Sequence, residues 1–135
     1  MIDDVAIAIV EKFNENVGIK KALSGGLYFQ QAPQNVSYPY GVFYFSGMSQ
    51  EEIMGSAFNN ITEIELQFNF FSDADDGGED IAKLAELFDE AYHWQTLNID
   101  GWRNPKTQRD NYGPLIYTDN IWQATIFYIL WMQTE

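Results

Sequence analysis

The densest set of chemistry-bearing side chains is "DADDGGED", residues 73 to 80, which places five carboxylates in eight positions. That composition suits a cation-binding loop. An EF-hand loop begun at Asp73 needs a glycine at its sixth position and a bidentate glutamate at its twelfth. Gly78 meets the first requirement, but Leu84 stands at the twelfth, so the ligand that closes the cage is absent. The residues favour a solvated acidic turn that caps a helix over adventitious Ca²⁺ or Mg²⁺ binding.

The other candidates are weaker. His93, the single histidine, would need a nucleophile or carboxylate brought beside it to catalyse anything; a helix-end histidine is the simpler reading. Ser24-Gly25-Gly26 lacks the GxxxxGK or GxGxxG spacing of a phosphate loop, and a strand follows it. Glu63 and Glu65 share the polar parity of a strand, with no apolar pocket nearby to raise a carboxyl pKa. The sequence carries no nucleophile elbow, HExxH or Walker motif. With no cysteine there is no thiol chemistry and no Cys-based zinc site. The expectation is a protein that is not an enzyme and needs no cofactor.

The 135 residues suffice for one domain with one core, and 46% are hydrophobic and 16% aromatic, far from the composition of disorder. Seven basic against twenty acidic residues give a net charge of −13, which repels phosphate backbones. The basic clusters, Lys20-Lys21 and Lys106 to Arg109, fall in expected turns, so no direct grip on nucleic acid is expected. The opening "MIDDVAIAIVEKFNENV" is too acidic for a signal peptide. No apolar run approaches the roughly 18–20 residues that span a bilayer, so no membrane role is expected.

Periodicity places the elements. Ile2, Val5, Ala6, Ile9, Phe13 and Val17 recur at helical steps, predicting a helix over 3–17 that Gly18 stops. "LYFQQA" reads as a short strand. "YGVFYFSG" reads as a second, with Tyr40, Val42 and Tyr44 on one face and Phe43 and Phe45 on the other. Residues 48–60 show neither period and read as a long loop or arm. In "ITEIELQFNFF", Ile64, Leu66, Phe68 and Phe70 alternate with polar residues, the pattern of a strand with one buried face. Ile81, Leu84, Ala85, Phe88, Ala91 and Tyr92 predict a second helix over about 78–94. "LNIDGWRNPKTQRDNYGP" reads as turns with strand fragments at 97–99 and 102–103. "LIYT", an Asp119-Asn120 turn and "IWQATIFYILWMQ" complete the chain. The last strand is apolar on both parities, so it should lie centrally or be covered. The expected fold is α+β, in the order α-β-β-β-α-β-β: a mixed, mainly antiparallel sheet of about five strands with two helices on one face, in a single domain over 1–135.

Adhesive surface is the feature in excess. Met48, Ile53, Met54 and Phe58 lie in the irregular segment and Trp102 flanks a turn; methionine and aromatics are enriched in interface cores. These five are the candidate oligomer or partner interface.

The order of elements and several phrases resemble the tail-completion or tail-terminator (head–tail joining) proteins of tailed bacteriophages and prophages. The phrases are "APQNVSYPYGVFYFSG", the alternating strand ending in Phe-Ser, "DIAKLAELFDEAY", "LNIDGW" and "WQATIFYILW". The acidic run at 73–80 and the long "GWRNPKTQRDNYG" turn depart from that pattern. The resemblance implies a structural virion protein at the tail or neck, made in the host bacterial cytoplasm. Its subunits would form a ring, commonly a hexamer, capping the tail tube and joining it to the head connector. Tail-tube and head-connector proteins would be its partners, with DNA passing through the ring. Two rivals remain: a small acidic inhibitor, immunity-like, that masks a basic partner, and a small-ligand enzyme with an aromatic pocket.

Overall fold

The computed structural model describes residues 2–52 and 60–134. Its elements run α1 (Ile2–Glu15), α2 (Val17–Ala22), β1 (Leu27–Phe29), β2 (Tyr40–Glu52), β3 (Asn60–Ser72), α3 (Glu79–Tyr92), β4 (Trp102–Tyr112), β5 (Ile116–Thr118) and β6 (Ile121–Thr134). The α+β class and mixed sheet are as expected, with one more helix and one more strand.

The first helix is broken where the sequence predicts continuity. Asn16 leaves helical geometry at φ −96°, ψ 101°, and its side-chain oxygen accepts from the Ile19 N–H at 3.0 Å, starting α2. Such a cap is worth about 1 kcal/mol. Gly18 therefore lies inside a helix, and Val17 is exposed rather than part of the apolar stripe. The break turns the chain so that Ile19 and Leu23 join the core.

The sheet order is β1-β2-β3-β6-β4, and β5 extends the β4 edge by pairing with the start of β6. Only β1 and β2 run parallel; every other pair is antiparallel. The turn before β1 depends on close approach: a side chain at Gly25 would lie 1.8 Å from the Ser37 carbonyl oxygen. β1 stops because Gln30 takes a left-handed conformation, φ 68°. β6 is central, between β3 and the β4–β5 edge.

Two segments expected as irregular belong to the sheet. β2 continues to Glu52 and β3 begins at Asn60, with a bulge between Phe45 and Gly47 resetting the register. Residues 48–52 are thus strand, and 53–59 of the expected arm lie outside the described residues. Likewise 102–112 is one strand, not a turn: β4 pairs along β6 with bulges at 103–106 and 109–111. Those bulges absorb Pro105 and Asp110, residues a regular ladder tolerates poorly.

One cluster forms the core. Phe43, Ile64, Leu66, Phe68, Phe70, Ile126, Tyr128 and Leu130 face Val5, Ile9 and Phe13 of α1, Ile19 of α2, and Ile81, Leu84, Phe88 and Tyr92 of α3. Alternation along β3 and β6 puts every second side chain into this layer. The Tyr92 hydroxyl donates to the Ile9 carbonyl at 2.8 Å and ties α3 to α1. Among the described residues, no helix is long and apolar enough to cross a membrane.

Candidate assembly surfaces

Apart from Val17 of α2 and Trp94 just after α3, the large apolar side chains left in water among the described residues collect at the two opposite edges of the sheet. At the first edge α1 lies along β1 and β2. Helical spacing gives α1 a buried stripe of Val5, Ala6, Ile9 and Phe13, but Ile2 and Ile7 fall off it and stand exposed. Met48 belongs to this edge. It pairs with Ile64 on the helix side of the sheet, is 57% exposed, and lines a cleft with Ile2, Phe45 and Gly47. A second, almost wholly apolar cleft follows between Ile7, Val10 and Phe29, rimmed by Asp3 and Glu11. β1 pairs only with residues 41–43, so among the described residues the outer backbone edge of β2 is open beyond them.

Of the other interface candidates, Ile53, Met54 and Phe58 lie outside the described residues. Trp102 opens β4 and is partly buried against the core.

The second edge, which sequence reasoning missed, is built by β4, β5 and the turn between them. Tyr112, Leu115, Ile116 and Tyr117 are all more than two-fifths exposed. Between α3 and this turn lies a cleft of about 290 Å³ lined by Ala82, Ala85, Tyr112, Leu115 and Ala124. Every residue of β5 is exposed, and among the described residues β5 pairs only with β6. The signal lay in "YGPLIYT", a tyrosine- and leucine-rich stretch in a turn context, where burial on its own domain is hard to arrange.

A buried polar network locks this edge to the helices. Asp89 falls four residues after Ala85 and three before Tyr92, on the core stripe of α3, and is 8% exposed. Its carboxylate pairs with Arg109 of β4 and accepts from the Tyr128 hydroxyl of β6 at 2.9 Å. Arg109 in turn lies over the Tyr112 ring, 4.9 Å from its centroid. An acid in an apolar periodicity was the sequence signal for this group.

Burial pushes the Tyr92 and Tyr128 hydroxyls well above the ordinary tyrosine value, and the Asp89 charge adds to the rise at Tyr128. Both stay protonated in the folded protein, while in the unfolded chain they ionise above the ordinary tyrosine value of about 10. The unfolded state then binds fewer protons, so stability falls as pH rises. Each tyrosine should remove about 1.4 kcal/mol per pH unit beyond that point. Urea unfolding from pH 9 to 12 should show a shallower decline for Tyr92→Phe; an unchanged slope would contradict the burial.

The residues first singled out for chemistry have structural partners. Asp76 accepts from the Gly78 and Asp80 N–H groups at 3.1 and 2.9 Å, and Gly78 is the left-handed N-cap of α3 at φ 87°. The acidic run thus caps a helix. Among the described residues no three metal-ligating side chains converge. His93 ends α3, where its Nδ1 accepts from the Arg109 N–H at 2.9 Å. With the Trp94 N–H to Thr107 carbonyl bond (2.6 Å), this closes part of the outer edge of β4. Glu63 and Glu65 lie on the helix-free face of the sheet, opposite Trp131 and Ile129. Lys20-Lys21 are in α2 and Lys106 to Arg109 in β4, not in turns.

The helix-free face is mixed. Asn69, Thr125, Tyr44 and Gln67 form a hydrogen-bonded group there, while Phe127, Ile129 and Trp131 are half-buried among polar neighbours. This explains why β6 is apolar on both parities: it is central, and its second face is shielded sideways by long side chains such as Gln108, which accepts from the Trp131 indole at 3.2 Å.

No family model and no curated protein matches the sequence. Solved structures do match the fold. A chain from the virion of a native gene transfer agent particle superposes with a TM-score of 0.65, covering 91% of this chain and 90% of that one at 9% identity. A second solved chain superposes with a TM-score of 0.67, covering 98% and 96% at 14% identity. At these identities the likeness is one of fold: over 91% of its length this chain shares the fold of a chain from a gene transfer agent virion.

Proposed function

We propose that this chain is a structural subunit of a phage-like particle. Within it, the chain serves as a tail-terminator or tail-completion subunit whose ring caps the tail tube and joins it to the head connector. The observation that carries the reading is the fold shared over nine-tenths of both chains with a gene transfer agent virion component. Exposed apolar side chains at both sheet edges support it, because a subunit of a ring built by head-to-tail contacts needs two different sticky patches. The charge of −13 suits a ring that DNA passes without being held.

Electron microscopy of the concentrated protein, alone and with tail-tube subunits, tests the proposal. Rings of uniform diameter, or decoration of tube ends, are the expected result. A protein that stays monomeric at every concentration and ignores tube subunits, yet binds a basic protein with a steep loss of affinity in salt, would make it an inhibitor instead.

A further inference from the structure

The segment that follows α3 covers the outer edge of β4 rung by rung, on alternate residues. The Leu97 N–H donates to the Pro105 carbonyl at 2.9 Å, the Thr107 N–H to the Gln95 carbonyl at 3.2 Å and the Trp94 N–H to the Thr107 carbonyl at 2.6 Å. The next outward group is the Arg109 N–H. There the covering chain has already turned into the helix: Trp94 is left-handed at φ 59° and His93 is the C-cap of α3. The His93 ring therefore stands where a backbone carbonyl would, its Nδ1 accepting from the Arg109 N–H at 2.9 Å. Of these rungs, this one alone has an acceptor that can take a proton. Accepting at Nδ1 requires the neutral ring with its proton on Nε2; in the cation both nitrogens are donors, so neither ring orientation offers Arg109 an acceptor. Histidine ordinarily changes charge between about pH 5 and 8.

We propose that His93 is a proton-operated latch on the edge of β4: the neutral ring closes the edge at Arg109, and proton uptake opens it. The ionisable groups close by in position are Asp89 and Glu90, one turn back on α3, and Arg109, Asp110 and Tyr112 on β4. Asp89 is already engaged by Arg109 and Tyr128, while Glu90 and Asp110 are exposed. Tyr112 lies beside the Arg109 guanidinium, 3.3 Å away, and that guanidinium is a like charge to a protonated ring. Opening stays local, because the rungs at 105 and 107 have carbonyl acceptors and the Asp89–Arg109 pair still ties β4 to α3. The opened rung presents a bare backbone N–H at a strand edge, the kind of group that pairs with another chain.

Amide hydrogen exchange, read by NMR on the full chain and corrected for the intrinsic pH dependence of exchange, tests it. The His93 ring signals report its charge in the same samples. As the ring titrates, protection of the Arg109 amide should fall about tenfold, the scale of one lost hydrogen bond. The Thr107 and Leu97 amides should keep theirs. His93→Asn replaces Nδ1 with a side-chain oxygen that does not titrate in this range, and should hold Arg109 protection level with pH. His93→Leu removes the acceptor and should leave that amide weakly protected throughout. Thermal melts check that both variants fold, and the unaltered chain decides the matter if either does not. Arg109 protection that stays constant while the ring titrates overturns the latch. So does a loss shared equally by Thr107 and Leu97, which would be general unfolding, or one that persists unchanged in His93→Asn.

Discussion

Replacing Phe68 with alanine is expected to cost about 3–5 kcal/mol of folding stability, the range for deleting a fully buried aromatic ring. Phe68 is 1% exposed at the centre of β3, and its ring meets elements far apart in sequence. Its centroid lies 5.2 Å from Phe43 of β2, 4.9 Å from Phe88 of α3, 5.5 Å from Tyr128 of β6 and 6.0 Å from Tyr92. No single neighbour can move in to fill the space, because each is pinned by its own strand or helix. The cavity cost therefore adds to the lost transfer energy. For a domain whose total stability is about 5–15 kcal/mol, that is a large share. Denaturant unfolding measures it directly. Phe71→Ala is the control: Phe71 has the opposite parity, is half-buried, and among the described residues stacks on Tyr40 alone, at 5.0 Å. It should cost clearly less. A loss under about 1 kcal/mol at Phe68 would mean that the faces of β3 are assigned the wrong way round.

The second large effect is expected at Asp89. Asp89→Ala should cost about 2–4 kcal/mol, less than the full penalty for splitting a buried ion pair. The reduction follows from Arg109, whose side chain is 35% exposed and can turn to water once its partner is gone. The Tyr128 hydroxyl has no such escape. It is buried and loses its acceptor, a cost of about 1–3 kcal/mol by itself. Tyr128→Phe combined with Asp89→Ala should consequently cost less than the sum of the two single changes, because the second removes the hydroxyl that the first orphaned. Strict additivity would show that the network is three separate contacts. Loss of Asp89 should also loosen the second edge, since Arg109 and Tyr112 are held through it.

Much of this architecture was legible along the chain. The alternation of Ile64, Leu66, Phe68 and Phe70, and the stripe from Ile81 to Tyr92, are consequences of strand and helix geometry at fixed spacing. Any fold that buries those segments must bury those faces. The parity of β2 was readable for the same reason. Length, charge and the absence of cysteine likewise bounded the core and the chemistry before any contact was known.

What the tertiary structure alone decided are the features whose cause lies far away in sequence. "WRNPKTQRDNY" has the composition of a turn and becomes β4 because β6, central and apolar, offers it a ladder that its bulges can follow. Asn16 divides a helix whose periodicity looked unbroken, because a capped turn lets Ile19 and Leu23 reach the core. Asp89 stands out along the chain only as an acid on the apolar stripe of α3, and its partners, Arg109 and Tyr128, are supplied by distant strands. Met48, in a stretch without a readable period, is placed on the helix side of β2 by its register opposite Ile64. The placing of two apolar edges on opposite sides of one sheet is set by strand order. Local spacing fixes which face of an element is apolar, whereas the element that lies against that face is chosen by long-range pairing, and only that pairing leaves some faces in water.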